Sequence, residues 1–89
     1  MTALLAKIPG RFSETTIDDE IVVMSLDNGD FFSLSGTGAA GWRLIDGTRD
    51  RAALIAELAA AYGVANSEIS GDIDTFLDQL QAAGFIGKD

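Results

Sequence analysis

Carboxylates are the only abundant reactive groups in this chain: 14 Asp and Glu stand against 6 Lys and Arg, with no His and no Cys. Zinc sites built on Cys or His, a histidine general base, a cysteine nucleophile and the usual triads are therefore excluded. Paired carboxylates remain for acid–base work, which needs surroundings that push two pKa values apart. Asp27 and Asp30 flank a turn, and Asp18, Asp19 and Glu20 precede an apolar run. Nothing near either set in sequence would desolvate one carboxyl and raise its pKa. Neither set matches the spacing and closing glutamate of a calcium loop. Gly36, Gly38 and Gly41 lack the lysine and the strand-to-helix setting of a phosphate loop. The residues thus predict no catalytic site, no metal and no cofactor.

The formal net charge of -8 favours solubility, or a basic partner, and repels nucleic acid and anionic membrane surfaces. Arg43, Arg49 and Arg51 cluster beside Asp46 and Asp50 and make no convincing phosphate patch. With 89 residues and 47% apolar content, residues 1–89 are expected to form a single domain around one modest core. No apolar run reaches membrane-spanning length, and Met1 to Gly10 lacks a secretory signal pattern. The absence of Cys fits a reducing compartment. The expectation is a cytoplasmic protein with no membrane and no nucleic-acid partner.

Positioning any binding residues falls to elements that change period partway along the chain. Ala3 to Ile17 carries scattered apolar residues around Pro9-Gly10 and predicts a short, irregular edge strand. Glu20 to Leu26 is the strongest strand, with Val22, Met24 and Leu26 on one face. Asp27-Asn28-Gly29-Asp30 contains the Asn-Gly hairpin signal, and Phe31 to Leu34 returns. If Phe32 and Leu34 face the core, Phe31 and Ser33 face away.

From there the apolar spacing becomes helical. Ser35 or Thr37 can cap a helix running to Asp46-Gly47, with Trp42 as a core anchor and Gly41 permitting close packing. Asp50 caps a second helix with the stripe Leu54, Ile55, Leu58, Ala59 and Tyr62, ended by Gly63. A third helix, capped near Asn66 or Ser67, carries Ile69, Ile73, Phe76, Leu77, Leu80 and Ala83, and Gly84 closes it. Phe85-Ile86 then folds back before the tail frays. The expected class is α+β: a three-stranded antiparallel sheet followed by three helices, the last two joined as a helix-turn-helix pair.

On the third helix, a turn of about 100° per residue puts Asp72 on one flank of the stripe near Thr75, Phe76 and Gln79. Asp74 and Asp78 fall towards the other side. The acids form either a solvated face or one wall of a peptide groove. A DNA-reading helix would present Arg, Lys, Asn or Gln, and this one has no Arg or Lys. Phe31 to Leu34 is short and aromatic, and as a sheet edge it can accept an extended peptide as an added strand. Two alternatives stay open: a winged-helix DNA-binding regulator, and a structural subunit that oligomerises through the same edge.

The order Gly29-Asp30-Phe31-Phe32-Ser33-Leu34-Ser35, then Ala39-Ala40-Gly41-Trp42, resembles the PqqD-like family of peptide recognition elements in ribosomal peptide natural-product biosynthesis. Leu54 to Val64 and the run of Asp72, Ile73, Phe76, Leu77, Leu80, Gly84, Phe85 and Ile86 continue the likeness from roughly Asp19 to Ile86. Ser35 stands where Asn is common, and Gly41 where an aliphatic is usual. The resemblance implies a winged helix-turn-helix-like fold that binds a precursor's leader peptide as an extra antiparallel strand. Carried over residue by residue, Phe31, Phe32, Ser33 and Leu34 lie along the peptide, and Asp72, Thr75, Phe76 and Gln79 belong to the helical wall. The implied partners are the leader peptide and a leader protease, a radical-SAM enzyme or another modifying enzyme, as in quinone-cofactor or lasso peptide pathways. The chain itself would do no chemistry.

Overall fold

The computed structural model describes residues 4–88, so Ala3, where the expected edge strand opened, lies outside the described residues. Strands β1 (Leu5–Lys7), β2 (Phe12–Ile17), β3 (Glu20–Ser25) and β4 (Phe31–Leu34) come first. Helices α1 (Gly36–Leu44), α2 (Arg51–Tyr62) and α3 (Asn66–Ala82) follow, and β5 (Ile86–Lys88) comes last. The main sheet has the order β2-β3-β4, antiparallel throughout. This is the α+β, winged helix-turn-helix-like arrangement expected from the sequence, with a second small sheet added.

That second sheet is the main departure. The expected single edge strand is two strands separated by a 3-10 turn at Pro9–Arg11, and β1 pairs with β5 at the other end of the chain. Residues 86–88 therefore form a ladder where fraying was expected. Leu5 also bridges Arg49 in the α1–α2 loop, its N–H donating to the Arg49 carbonyl at 2.8 Å. β1 is thus held by both the loop and β5.

In β3 the buried residues are Ile21, Val23 and Ser25, while Met24, and Leu26 just past the strand, are exposed. Register explains the choice. Val23 pairs with Phe32 and Ile21 with Leu34, so the face that receives the aromatic and the leucine takes the odd positions of β3. The turn is longer than a two-residue hairpin. Only Gly29 has positive φ, at 78°, and the Asn28 side chain instead accepts the Asp30 N–H at 2.9 Å.

Asp50 caps α2 as expected, its carboxylate accepting the Ala53 N–H at 2.7 Å. Ser35 is at the N-cap of α1 in extended conformation, without a side-chain hydrogen bond. Ala65, not Asn66 or Ser67, occupies the N-cap of α3. Tyr62, at the last position of α2, is half-exposed and drops out of the stripe.

The core gathers Trp42 from α1, Leu54 and Leu58 from α2, Ile73, Leu77 and Leu80 from α3, and Ile21, Val23, Leu34 and Phe85. Phe12 stands edge-on to Trp42, with ring centroids 5.1 Å apart, and to Phe85 at 5.8 Å. Arg51 at the start of α2 reaches Asp74 at 2.9 Å and Asp78 at 3.1 Å, clamping one flank of α3. Among the described residues no helix is long and apolar enough to cross a membrane.

Candidate functional site

β4 is an edge strand, and its backbone decides what it offers. The Ser25 N–H donates to the Asp30 carbonyl at 2.7 Å, while the Leu26 N–H donates away from β4 to the Arg11 carbonyl at 3.0 Å. Antiparallel bonding alternates along each strand. With Val23 opposite Phe32 and Ile21 opposite Leu34, the amides of Phe32 and Leu34 turn towards β3. Those of Phe31 and Ser33 turn to the open side, where no strand pairs with β4 among the described residues.

Two hollows flank helix α3 among the described residues, and the larger shares Phe32 with β4. The one at the hairpin end is a cavity of about 410 Å³ lined by Ser25, Asn28, Asp30, Phe32, Gln79, Ala82 and Ala83. The other, of about 150 Å³, lies between α1 and α3 and is lined by Thr37, Gly38, Ile69, Asp72, Ile73 and Phe76. From Ile69 to Ala83 the wall spans about 20 Å at the rise of an α-helix. An extended segment of a few residues fits that length.

The candidate residues divide by what they present. Phe32 and Gln79 line the larger hollow, and Phe32 also packs edge-on to Phe85 with centroids 5.3 Å apart. Asp72 and Phe76 line the smaller one. Leu34 is a core residue at 8% exposure. Phe31 and Ser33 meet the open edge with their backbone, while their side chains lie on the outer face of the sheet. The Ser33 hydroxyl donates there to Glu20 at 3.3 Å. Thr75 spends its hydroxyl on the Gly71 carbonyl at 3.0 Å.

Sequence reasoning missed Thr37, Gly38 and Ile69 as lining residues, and Asn28 and Ala82 at the hairpin end. Ile69 was findable, because it stands three residues before Asp72 and seven before Phe76 on one helix face.

Asp72 is exposed and belongs to no ion pair among the described residues, whereas Asp74 and Asp78 are held by Arg51. The hydrogen bond from Arg51 to Asp74 raises the pKa of its guanidinium. The arrangement leaves a carboxylate on the groove flank and neutralises those on the other. Among the described residues no group of His, Cys, Asp and Glu is arranged to hold a metal ion.

Gly41 explains how Phe76 comes to floor the smaller hollow. A Cβ built at Gly41 would lie 3.4 Å from the Phe76 ring and 3.5 Å from Leu58, so there is room for a methyl and no more. Gly41→Ala is expected to keep or raise stability, by up to about 1 kcal/mol from helix propensity. Gly41→Val is expected to destabilise by about 1–3 kcal/mol through overpacking. Urea denaturation of the pair checks this, and equal stability of the two variants would contradict it.

The PqqD family model, described as coenzyme PQQ synthesis protein D, matches residues 20–86. Among solved structures, TbiB1 in complex with the TbiA(beta) leader peptide superposes with a TM-score of 0.78 at 26% identity, covering 90% of this chain and 93% of that one. No curated protein matches the sequence.

Proposed function

The chain belongs to the PqqD family, and from that premise we propose that it binds the leader region of a ribosomally made precursor peptide by strand addition. It acts as a single non-catalytic recognition domain over residues 1–89. It delivers the peptide in the cytosol to a separate enzyme, such as a leader protease, a radical-SAM enzyme or another modifying enzyme. The observation that carries this reading is the open edge of β4, whose Phe32 lines a hollow shared with α3, in a fold whose TbiB1 relative is bound to a leader peptide. Backbone pairing supplies affinity and the hollows supply selectivity. Holding the precursor beside an enzyme raises its effective concentration there.

In this reading Phe31 and Ser33 exchange backbone bonds with the peptide, which runs past Phe32 and Leu34. Phe32, Phe76 and Gln79 receive its inward side chains, with Thr75 and Asp72 on the helical wall. Titration with synthetic leader segments, followed by amide NMR, tests it. Saturable binding with the largest shifts at residues 31–34 and 72–79 is expected. Absence of binding by every leader, with salt-sensitive binding of duplex DNA instead, would return the fold to a regulatory use.

Asp72 gives a sharper test. For a leader carrying Lys or Arg near the wall, Asp72→Asn is expected to weaken binding by roughly two- to fivefold, the size of an exposed ion pair. Added salt should erase most of the difference. Alanine at Asp72 and Phe76, in variants that fold normally, must lower leader affinity. Unchanged affinity in both would remove this wall from the site.

A further inference from the structure

The sheet has a second face that no helix covers among the described residues. Ile21, Val23, Phe32 and Leu34 face the helical core, and the opposite face carries Phe31 at 71%, Ile17 at 58% and Met24 at 41% exposure. A shallow hollow of about 300 Å³ lies there, lined by Ser13, Thr15, Val22, Met24 and Phe31. Large exposed apolar side chains gathered on one face mark an interaction surface rather than ordinary exposed residues. We propose that this outer face, extended by the outward side chains of the bound leader, docks the enzyme that acts on the precursor. The proposal rests on the leader-binding reading above.

Two features select that occupant. The apolar patch is bounded by acid at the β2–β3 turn, by Asp18, Asp19 and Glu20, on a chain whose formal net charge is -8. The nearby Arg11 is already engaged by Asp27 at 3.0 Å. A second copy of this chain would set acid against acid, whereas a partner with an apolar patch rimmed by Lys and Arg complements it.

The second feature is continuity with the peptide edge. Phe31 and Ser33 belong to β4, so their backbone meets an added strand while their side chains stand on the outer face. A strand paired there places alternate side chains on that same face, beside Phe31. The enzyme therefore reads a composite surface made of this chain and its cargo. By linkage it binds the loaded chain more tightly than the empty one, and it tightens leader binding by the same factor.

The test uses the full chain, a synthetic leader, and a purified leader protease or peptide-modifying enzyme from the same genome. Met24→Lys combined with Ile17→Lys changes the face without touching β4, and Met24→Ser serves as a milder second variant. Circular dichroism checks folding, and calorimetry reads both binding steps. The expected result is leader affinity within about twofold of wild type, with affinity for the enzyme lowered about tenfold or more. Wild type should bind the enzyme about tenfold better when loaded.

Variants that bind the enzyme as wild type does would overturn the docking face. Equal affinity of the enzyme for loaded and empty chain would overturn the composite surface. A concentration-dependent wild-type dimer in sedimentation, dissolved by the same variants, would assign the face to a second copy and overturn the proposal. A wild-type chain that binds no leader sinks the recognition reading instead, while loss of enzyme binding by the empty variants would still support the docking face.

Discussion

Ser33→Pro is expected to cut leader affinity by about tenfold or more while leaving the chain folded. Proline removes one backbone donor, and its ring fills the space where a neighbouring strand would lie. At Phe32 or Leu34 that loss would fall on the ladder with β3. At Ser33 it falls on the open side, because the hydrogen-bonded pairs are Val23 with Phe32 and Ile21 with Leu34. Within the protein the change also removes the exposed hydroxyl contact to Glu20. The lost bond accounts for about 0.5–1.5 kcal/mol, and steric exclusion of the incoming strand adds to it. Ser33→Ala keeps the N–H and should bind within about twofold of wild type, separating backbone from hydroxyl. Calorimetric titration of both variants with one leader decides the matter. A proline variant that binds normally would mean the peptide does not pair with β4.

Trp42→Ala is expected to cost about 3–5 kcal/mol, a large share of the about 5–15 kcal/mol that holds a protein of this size. Trp42 is fully buried, meets Phe12 edge-on, and has the Lys7 ammonium 4.6 Å from its ring centre. Burial lowers the pKa of Lys7, opposed by the charges of Glu14 and Asp46. Removing the indole empties the junction of α1 with β2 of the main sheet and with β1 at once. Trp42→Phe is expected to be milder, about 1–2 kcal/mol, since the buried indole N–H has no hydrogen-bond partner among the described residues to lose. Urea denaturation at one temperature ranks the variants, and an alanine variant as stable as the phenylalanine one would contradict the argument.

Which features were legible follows from how local their causes are. Phe31 to Leu34 was readable as a strand, with Phe32 and Leu34 inward, because alternation is a property of neighbouring residues. Asp50 was readable as a cap, and Gly41 beside Trp42 as a point of close packing. The buried side of β3 was not, since Ile21 and Val23 are no more apolar than Val22 and Met24. Only the register with Phe32 and Leu34 separates them. The β1–β5 ladder was hidden for a different reason. Its strands have three residues each, and their pairing spans the sequence from Leu5 to Lys88. Of the site, Asp72, Phe76 and Gln79 followed from helical spacing, but the division of the groove into two hollows depends on where α1 and the hairpin meet α3.

Pairing Leu5 with Lys88 also brings the first and last strands of the fold side by side. Strand ends brought side by side are the condition under which a fold tolerates being cut and rejoined elsewhere, or spliced into a surface loop of another protein. The α2–α3 turn at Gly63 contributes no lining residue to either hollow, so the chain can be opened there and closed across β1 and β5. Covalent order and binding geometry are to that extent separable: the same edge and groove can be carried by a free chain, a permuted one or an insert.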